Sequence, residues 1–216
     1  RDYKVTGVQT CALPIFMPFH GWLPDAHTAP HGAVSALFSA LMYDIGIIVI
    51  ARLVLQIYPS HGAGGATALL TVLGAGSALL GAVLTLAQDD LKRLLAWDTV
   101  SQMGVLAMGF ASATVPGVAG ATYHMVNHAL FKALLFLCAG TIVHATGKVH
   151  LSQMGGLARR RPLLAGGFCL GVLAIAGIPP MNGYASVGLV HEGLMSSGDW
   201  AGFAVAELAQ VITIAA

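Results

Sequence analysis

Long apolar runs separated by short polar segments dominate the chain. Several of these runs approach or exceed the roughly 20 apolar residues that a membrane-spanning helix needs. The five runs are residues 32–57, 66–88, 94–115, 122–145 and 163–178, and a sixth begins near Ala201. None shows the alternating pattern of a membrane β-strand. Because a backbone in lipid must satisfy its own hydrogen bonds, the pattern predicts an all-α, polytopic transmembrane bundle of about six spans.

Composition supports a membrane location. Hydrophobic residues make up 56% of the 216 residues and charged residues 9%, against roughly 25% charged residues in a soluble domain. The near-equal numbers of basic and acidic residues, 10 and 9, provide no basic surface for nucleic acid. The three cysteines, Cys11, Cys138 and Cys169, lack the spacing of a disulfide framework or a zinc site.

The two ends of the chain differ from ordinary domain boundaries. Residues 1–15 have mixed polarity without periodicity, and the run VTGVQTCALPI at 5–15 looks like the translation of a sequencing-library adapter. We therefore interpret 1–15 as an artefact and 16–216 as the transmembrane domain; a signal or anchor would need an apolar stretch that is missing there. The last apolar run stops at Ala216 without a cap. We expect an internal piece of a longer protein.

Basic residues are distributed unevenly among the loops. Lys92 and Arg93 lie in one loop, Lys148 and residues 159–161 lie in another, and loops 58–65 and 116–121 contain no Lys or Arg. By the positive-inside rule, the loops at 89–93 and 147–162 are cytoplasmic, and the segment 20–31 falls on the same side.

Two stretches interrupt the apolar pattern with proline and glycine. Residues 17–32 contain Pro18 and Pro24, and residues 176–186 contain Pro179, Pro180 and Gly183. Proline removes a helix hydrogen bond, so such breaks within a membrane need protein or water beside them. In transporters, interrupted helices in two halves indicate the transport site; the alternative is that both stretches are ordinary loops.

One predicted span carries a stripe of ionisable side chains. His124, His128 and Lys132 follow one another at i, i+4 spacing and therefore lie on one helix face. An ionisable group near the bilayer centre costs at least ~2.5–3.5 kcal/mol, so Lys132 needs water, a partner or neutrality. The stripe favours a proton path, which His144 extends toward the cytoplasmic end. The histidine pair also has a metal- or haem-ligand spacing, but no third ligand follows at a diagnostic distance.

A second intramembrane charge is Asp44, about 18 Å from the start of its span. This carboxylate is expected to pair with a basic group such as Lys132, to relay protons or to stay protonated. His191 and Glu192 follow the second break and are candidates for cavity-lining or interfacial positions, and Glu207 lies inside the last run.

A family resemblance covers residues 16–195. The strings that carry it are, in order, PFHGWLPDAHTAP, VSALFSALM, DDLKRLLAWDTVSQMG, HMVNHALFKALLFLCAG, GGLARRRP and AIAGIPPMNGYAS. They resemble the antiporter-like membrane subunits of respiratory complex I, whose core also occurs in membrane-bound hydrogenases and Mrp-type antiporters. The resemblance implies a fragment of a subunit with two inverted repeats, each with a broken helix and a central lysine.

Several residues match the family pattern by position. Lys132 matches the central lysine of the second half-channel, and His124 and His128 match its proton relay. Lys92 matches a charged turn with either an interfacial or a transport role. The segment at Trp22, Pro24 and Asp25 looks like the signature loop after the first break.

Three positions depart from the pattern. The first-half lysine would fall at Leu13, inside the segment interpreted as adapter. Asp44 stands where many relatives carry a lysine. Val187 and Gly188 stand at or beside the usual titratable end-point of the channel, for which His191, one turn further on, is a candidate substitute.

These observations predict a proton-translocating subunit of an NADH:quinone oxidoreductase-type or hydrogenase complex in a prokaryotic plasma membrane. The chain itself shows no iron–sulfur or dinucleotide motif. Partner subunits are therefore expected to hold NADH, FMN, iron–sulfur clusters, quinone or a NiFe centre. The chain's own partners are expected to be other membrane subunits, lipid, protons and possible Na⁺. The alternatives are a stand-alone Mrp-type cation/proton antiporter, a non-pumping membrane anchor and a membrane metalloenzyme.

Overall fold

The fold is a bundle of helices, seen in a computed structural model that describes residues 16–57 and 64–216. After a 3-10 turn at Phe19–Trp22, the helices are α1 (Leu23–Thr28), α2 (Gly32–Arg52), α3 (Gly64–Leu86), α4 (Leu91–Ala111), α5 (Val115–Thr146), α6 (Pro162–Ile175), α7 (Asn182–Ser196) and α8 (Trp200–Ala215). In the described ranges, α2 to α5 are long and apolar enough to cross a membrane, whereas α6 and α8 are shorter apolar helices. The predicted all-α membrane bundle is confirmed. The segment interpreted as adapter, with Cys11 and Leu13, lies outside the described residues.

Local capping sets the ends of the two central helices. The Asp90 carboxylate accepts hydrogen bonds from the backbone N–H groups of Lys92 and Arg93 at 2.9 and 3.0 Å, which fixes the start of α4. α5 begins at Val115 rather than at residue 122, because the Thr114 hydroxyl caps it and a proline occupies its first turn. It ends at Gly147, which has φ 68° in the left-handed region.

α4 and α5 form the centre of the bundle. α4 packs between α3 and α5, while α2, α6 and α7 pack against α5. Glycines let the backbones of α3 and α4 approach each other closely, as small residues do in membrane bundles. A Cβ atom added at Gly104 would lie 2.4 Å from the Gly74 carbonyl oxygen. The central position buries nearly all of α4.

The run predicted at 163–178 forms α6, which stops at Ile175, and the chain resumes as α7 at Asn182 after the predicted interruption. The sequence pattern missed α7 as a helix of the bundle because His191 and Glu192 shorten its apolar run. Gly183 is required at the junction, since a Cβ there would lie 1.9 Å from the Ala174 carbonyl oxygen.

α2 contains an irregular turn that apolar periodicity did not predict. Residues Phe38–Met42 are π-helical and directly precede the turn that carries Asp44. A second π-helical stretch, Leu53–Ile57, follows the end of α2. Single π-helical turns of this kind are frequent at functional sites.

Candidate functional site

Lys132 lies at the middle of α5 and is completely buried. Its ammonium group donates hydrogen bonds to the Asp98 carboxylate at 2.5 Å and to the Leu95 carbonyl at 2.8 Å, both on α4. The Asp98 side chain is itself only 4% exposed. The buried lysine therefore has a carboxylate partner, as a charge at this depth requires.

His128, one turn before Lys132, approaches a different carboxylate. Its Nδ1 atom lies 3.6 Å from Asp44 Oδ1 on α2, and both side chains are buried. Of the alternatives for Asp44, pairing with Lys132 is not what the structure shows, because the lysine ammonium is paired with Asp98; the basic group beside Asp44 is His128. The structure thus contains two neighbouring acid–base pairs, joined through consecutive turns of α5.

His124 continues the row one turn further along α5. Its Nδ1 atom lies 2.9 Å from the Ser186 hydroxyl on α7, and its Nε2 atom lies 2.9 Å from Gln102 Oε1 on α4. Both ring nitrogens are thus engaged by protein groups: Nε2–H donates to the Gln102 oxygen, which can only accept, and Nδ1 faces the Ser186 hydroxyl as an acceptor. The predicted stripe consequently links α4, α5 and α7.

A further histidine connects the row to the end of the bundle that carries the basic loops. His27 of α1 is fully buried, stacks on Phe136 at a ring distance of 4.8 Å and shares a hydrogen bond of 3.1 Å with the Tyr43 hydroxyl. Sequence analysis did not select His27, because it belongs to a short segment without a recognisable face.

Lys92 is mostly buried at the first break. Its ammonium group donates a hydrogen bond of 2.9 Å to the carbonyl of Pro30, which precedes α2. A backbone carbonyl freed by the break thus receives a side-chain donor. This contact gives Lys92 a structural role at the first break.

Side chains also satisfy the backbone at the second break. Gln210 of α8 donates to the Ile175 carbonyl at 3.1 Å, and Asn127 of α5 donates to the Asn182 carbonyl at 3.2 Å. The Asn182 amide returns a hydrogen bond of 2.8 Å to Asn127. Protein side chains therefore satisfy backbone carbonyls on both sides of the interruption, the condition under which broken helices persist in membranes.

The remaining sequence-predicted residues lie apart from this centre. His191 contacts Glu207 on α8, and their side chains approach to 3.0 Å. Val187 is buried on the same helix as His191. His144 is exposed in the last turn of α5, away from the buried row.

Several contacts join the loops at the basic end. The Asp25 carboxylate forms an ion pair with Arg93, and the backbones of Asp90 and His150 form an isolated antiparallel β-bridge. The Asp89 carboxylate accepts hydrogen bonds from the hydroxyl and the backbone N–H of Ser152, which lower the pKa of Asp89. The segments predicted to share one side of the membrane therefore meet there.

The main residue that sequence analysis missed is Asp98. It is the single acidic residue within the predicted span 94–115, so the signal that selected Asp44 was present there too. Gln102 and Ser186 gave no such signal, because an uncharged polar residue in a span is common. Their roles follow only from the packing of α4 and α7 against α5.

An interrupted helix and a buried row of lysine, histidine and carboxylate side chains within a helical bundle are characteristic of antiporter-like membrane subunits. Comparison with known proteins identifies the family of the chain. The family described as NADH:quinone oxidoreductase/Mrp antiporter, transmembrane, matches residues 12–213, and the chain belongs to it.

Relatives occur in several kinds of membrane complex. Hydrogenase-4 component B of Escherichia coli K12 is 42% identical over 83% of this chain and 29% of its own length. A chain of the Mrp complex from Dietzia sp. superposes with a TM-score of 0.88 at 30% identity, over 94% of this chain and 38% of that one. A chain of respiratory complex I from Thermus thermophilus gives 0.84 at 31% identity, over 97% and 44%. The sequence thus spans less than half of each.

Proposed function

We propose that the chain forms a proton half-channel in a subunit of an NADH:quinone oxidoreductase or related hydrogenase complex. The observation that carries the proposal is the buried Lys132–Asp98 pair, aligned on α5 with His128 and His124. Ionisable groups so close together titrate as a set, so a charge change at one alters proton occupancy at the others. Electron transfer in partner subunits would drive that change.

The path begins at the basic, cytoplasmic end of the bundle. Lys92 and His27 lead from that end to Lys132, the central switch between proton-bound and proton-free states. His128, with Asp44 beside it, and His124 continue the row away from that end. The multi-pass chain would lie in a prokaryotic plasma membrane, with nicotinamide, flavin, iron–sulfur clusters, quinone or a NiFe centre held by partner subunits.

The decisive experiment replaces Lys132 in the complete complex, reconstituted in liposomes. Lys132→Ala should abolish most proton translocation per electron transferred, because the row loses its central exchangeable charge. Lys148→Ala provides the control, since Lys148 is exposed in a loop and donates only to the Gln153 carbonyl. Native pumping by Lys132→Ala at equal electron flux would remove Lys132 from the mechanism.

A second candidate is a subunit of a cation/proton antiporter that works without electron transfer. The close superposition on a chain of an Mrp complex favours it. It predicts Na⁺-dependent proton exchange in vesicles that contain only the antiporter subunits. The redox-coupled function instead predicts that translocation stops when electron flow is inhibited.

A further inference from the structure

A buried histidine and a half-exposed carboxylate meet between α7 and α8. His191 Nδ1 lies 3.0 Å from Glu207 Oε1, and the two side chains are 11% and 48% exposed. One member of the pair therefore belongs to the bundle interior and the other reaches its surface. Glu207 is the sole charged residue of α8.

The pair lies in the half of the bundle opposite the basic loops. α8 starts at Trp200, at the end of the bundle opposite α4's start, and Glu207 is about 10 Å along it. Along α5, the row from Lys132 to His124 advances about 12 Å toward the same end. His191 and Glu207 thus lie further along the direction in which the row runs.

The His191–Glu207 pair is also linked to the row through α7. Ser186, which contacts His124, and His191 lie on the same helix, α7. The Nδ1 atom of His191 faces Glu207, while its Nε2 atom is buried without a hydrogen-bond partner among the described residues. An imidazole in this position can accept a proton at one nitrogen and release one from the other.

We infer that Glu207, loaded through His191, is the outer terminus of the proton path in this chain. A proton leaves His191 Nδ1 for the Glu207 carboxylate and is then released from the bundle surface on the side opposite the basic loops, with no other bond made or broken. The inference rests on the proposed function and adds the residue from which the proton leaves the path. It also gives this chain a titratable end-point where Val187 offers none.

The test measures protons translocated per electron in liposomes containing the complete complex. Glu207→Gln should lower this ratio as far as Lys132→Ala does while electron transfer continues, because both variants interrupt the same path. Glu207→Asp should retain most of the ratio because it keeps the carboxylate. Glu192→Gln is the matched control, since Glu192 is an exposed carboxylate next to His191 on α7.

If Glu207→Gln does not assemble, His191→Gln decides in its place. An assembled complex of either single variant whose ratio stays nearer the native value than that of Lys132→Ala overturns the inference, whereas a ratio as low as that of Lys132→Ala supports it.

The result is separable from that of the proposed function. A loss of pumping in Lys132→Ala together with native pumping in Glu207→Gln would refute only the exit. Native pumping in both variants would refute the half-channel as well.

Discussion

At the residue scale, the site depends on which buried carboxylate lies beside which basic side chain. Asp98 holds Lys132 and Asp44 lies beside His128, so adjacent turns of α5 carry different acid–base pairs. A buried lysine can change between charged and neutral forms when its surroundings change, and a histidine can do the same. The arrangement places two exchangeable groups on adjacent turns of one helix.

Removal of the Lys132 counterion should be costly. Asp98→Leu leaves the ammonium group buried with only the Leu95 carbonyl, and we expect it to lower stability by about 3–5 kcal/mol. Thermal unfolding of the purified complex in detergent provides the measurement. Native stability of Asp98→Leu would show that Lys132 does not need its carboxylate.

The double variant Asp98→Leu/Lys132→Met separates stability from transport. Two apolar side chains of similar volume remove both buried charges, so stability should recover toward the native value. Pumping should remain absent, because no exchangeable group is left at the centre. Recovery of both properties would contradict the role assigned to Lys132.

Sequence analysis predicted the α5 stripe because helical periodicity alone brings i and i+4 residues together. It could not predict which carboxylate binds Lys132. That choice depends on the rotation of α2 and α4 about their own axes, which no single-helix pattern contains.

At the element scale, close packing of α3 and α4 holds Asp98 in place. Gly104→Ala would put a methyl group 2.4 Å from the Gly74 carbonyl oxygen and force the helices apart. We expect a loss of about 1–3 kcal/mol in stability, together with weaker pumping as Asp98 moves. Thermal unfolding and translocation assays measure the two effects.

The matched control is Gly188→Ala on α7. An added Cβ at Gly188 meets no atom within 4 Å, and its backbone is helical, so stability should stay near the native value. Equal losses in both variants would mean that helix contact is not the cause.

The sequence pattern predicted most helices and both proline-rich interruptions. It failed where tertiary contacts override apolar length. Thr114 extends α5 at its start, and α7 remains helical despite His191 and Glu192 because it packs against α5. The hydropathy of a segment reflects how much of it faces lipid, whereas α7 is stabilised by contacts with neighbouring helices.

At the scale of the whole molecule, the basic loops form a connected end. The Asp89 pKa lies below its ordinary value of 3.8 because Ser152 hydrogen bonds to the carboxylate. This contact therefore contributes stability above that value and loses it as the pH falls through the lowered pKa. Protection of the backbone amides at Leu151–Gln153 against hydrogen exchange should decrease at acidic pH.

Two variants test the assignment of this pH response. In Asp89→Asn the protection factors, corrected for intrinsic exchange, should no longer change over the acidic range. Ser152→Ala removes the hydroxyl that donates to Asp89 and should reduce the change in protection with pH. An unchanged response in Asp89→Asn would assign it to another group.

The charge pattern of the loops correctly placed the basic segments together, because the positive-inside rule acts on the whole chain rather than on one helix. The pairs Asp25–Arg93 and Lys92–Pro30 could not be predicted in the same way. They join residues far apart in sequence, and only the packing of α1 against α4 makes them neighbours.

The π-helical turn of α2 also has a consequence for how this helix can change in evolution. Buried residues recur at every fourth position, at Ser35, Ser39, Tyr43, Ile47 and Ala51. A regular α-helix turns about 100° per residue, so four-residue steps drift about 40° each round the axis. The wider turn at Phe38–Met42 absorbs part of this drift and keeps Asp44 inside. The segment therefore tolerates substitution better than deletion, because losing one residue would rotate the carboxylate out of phase with His128.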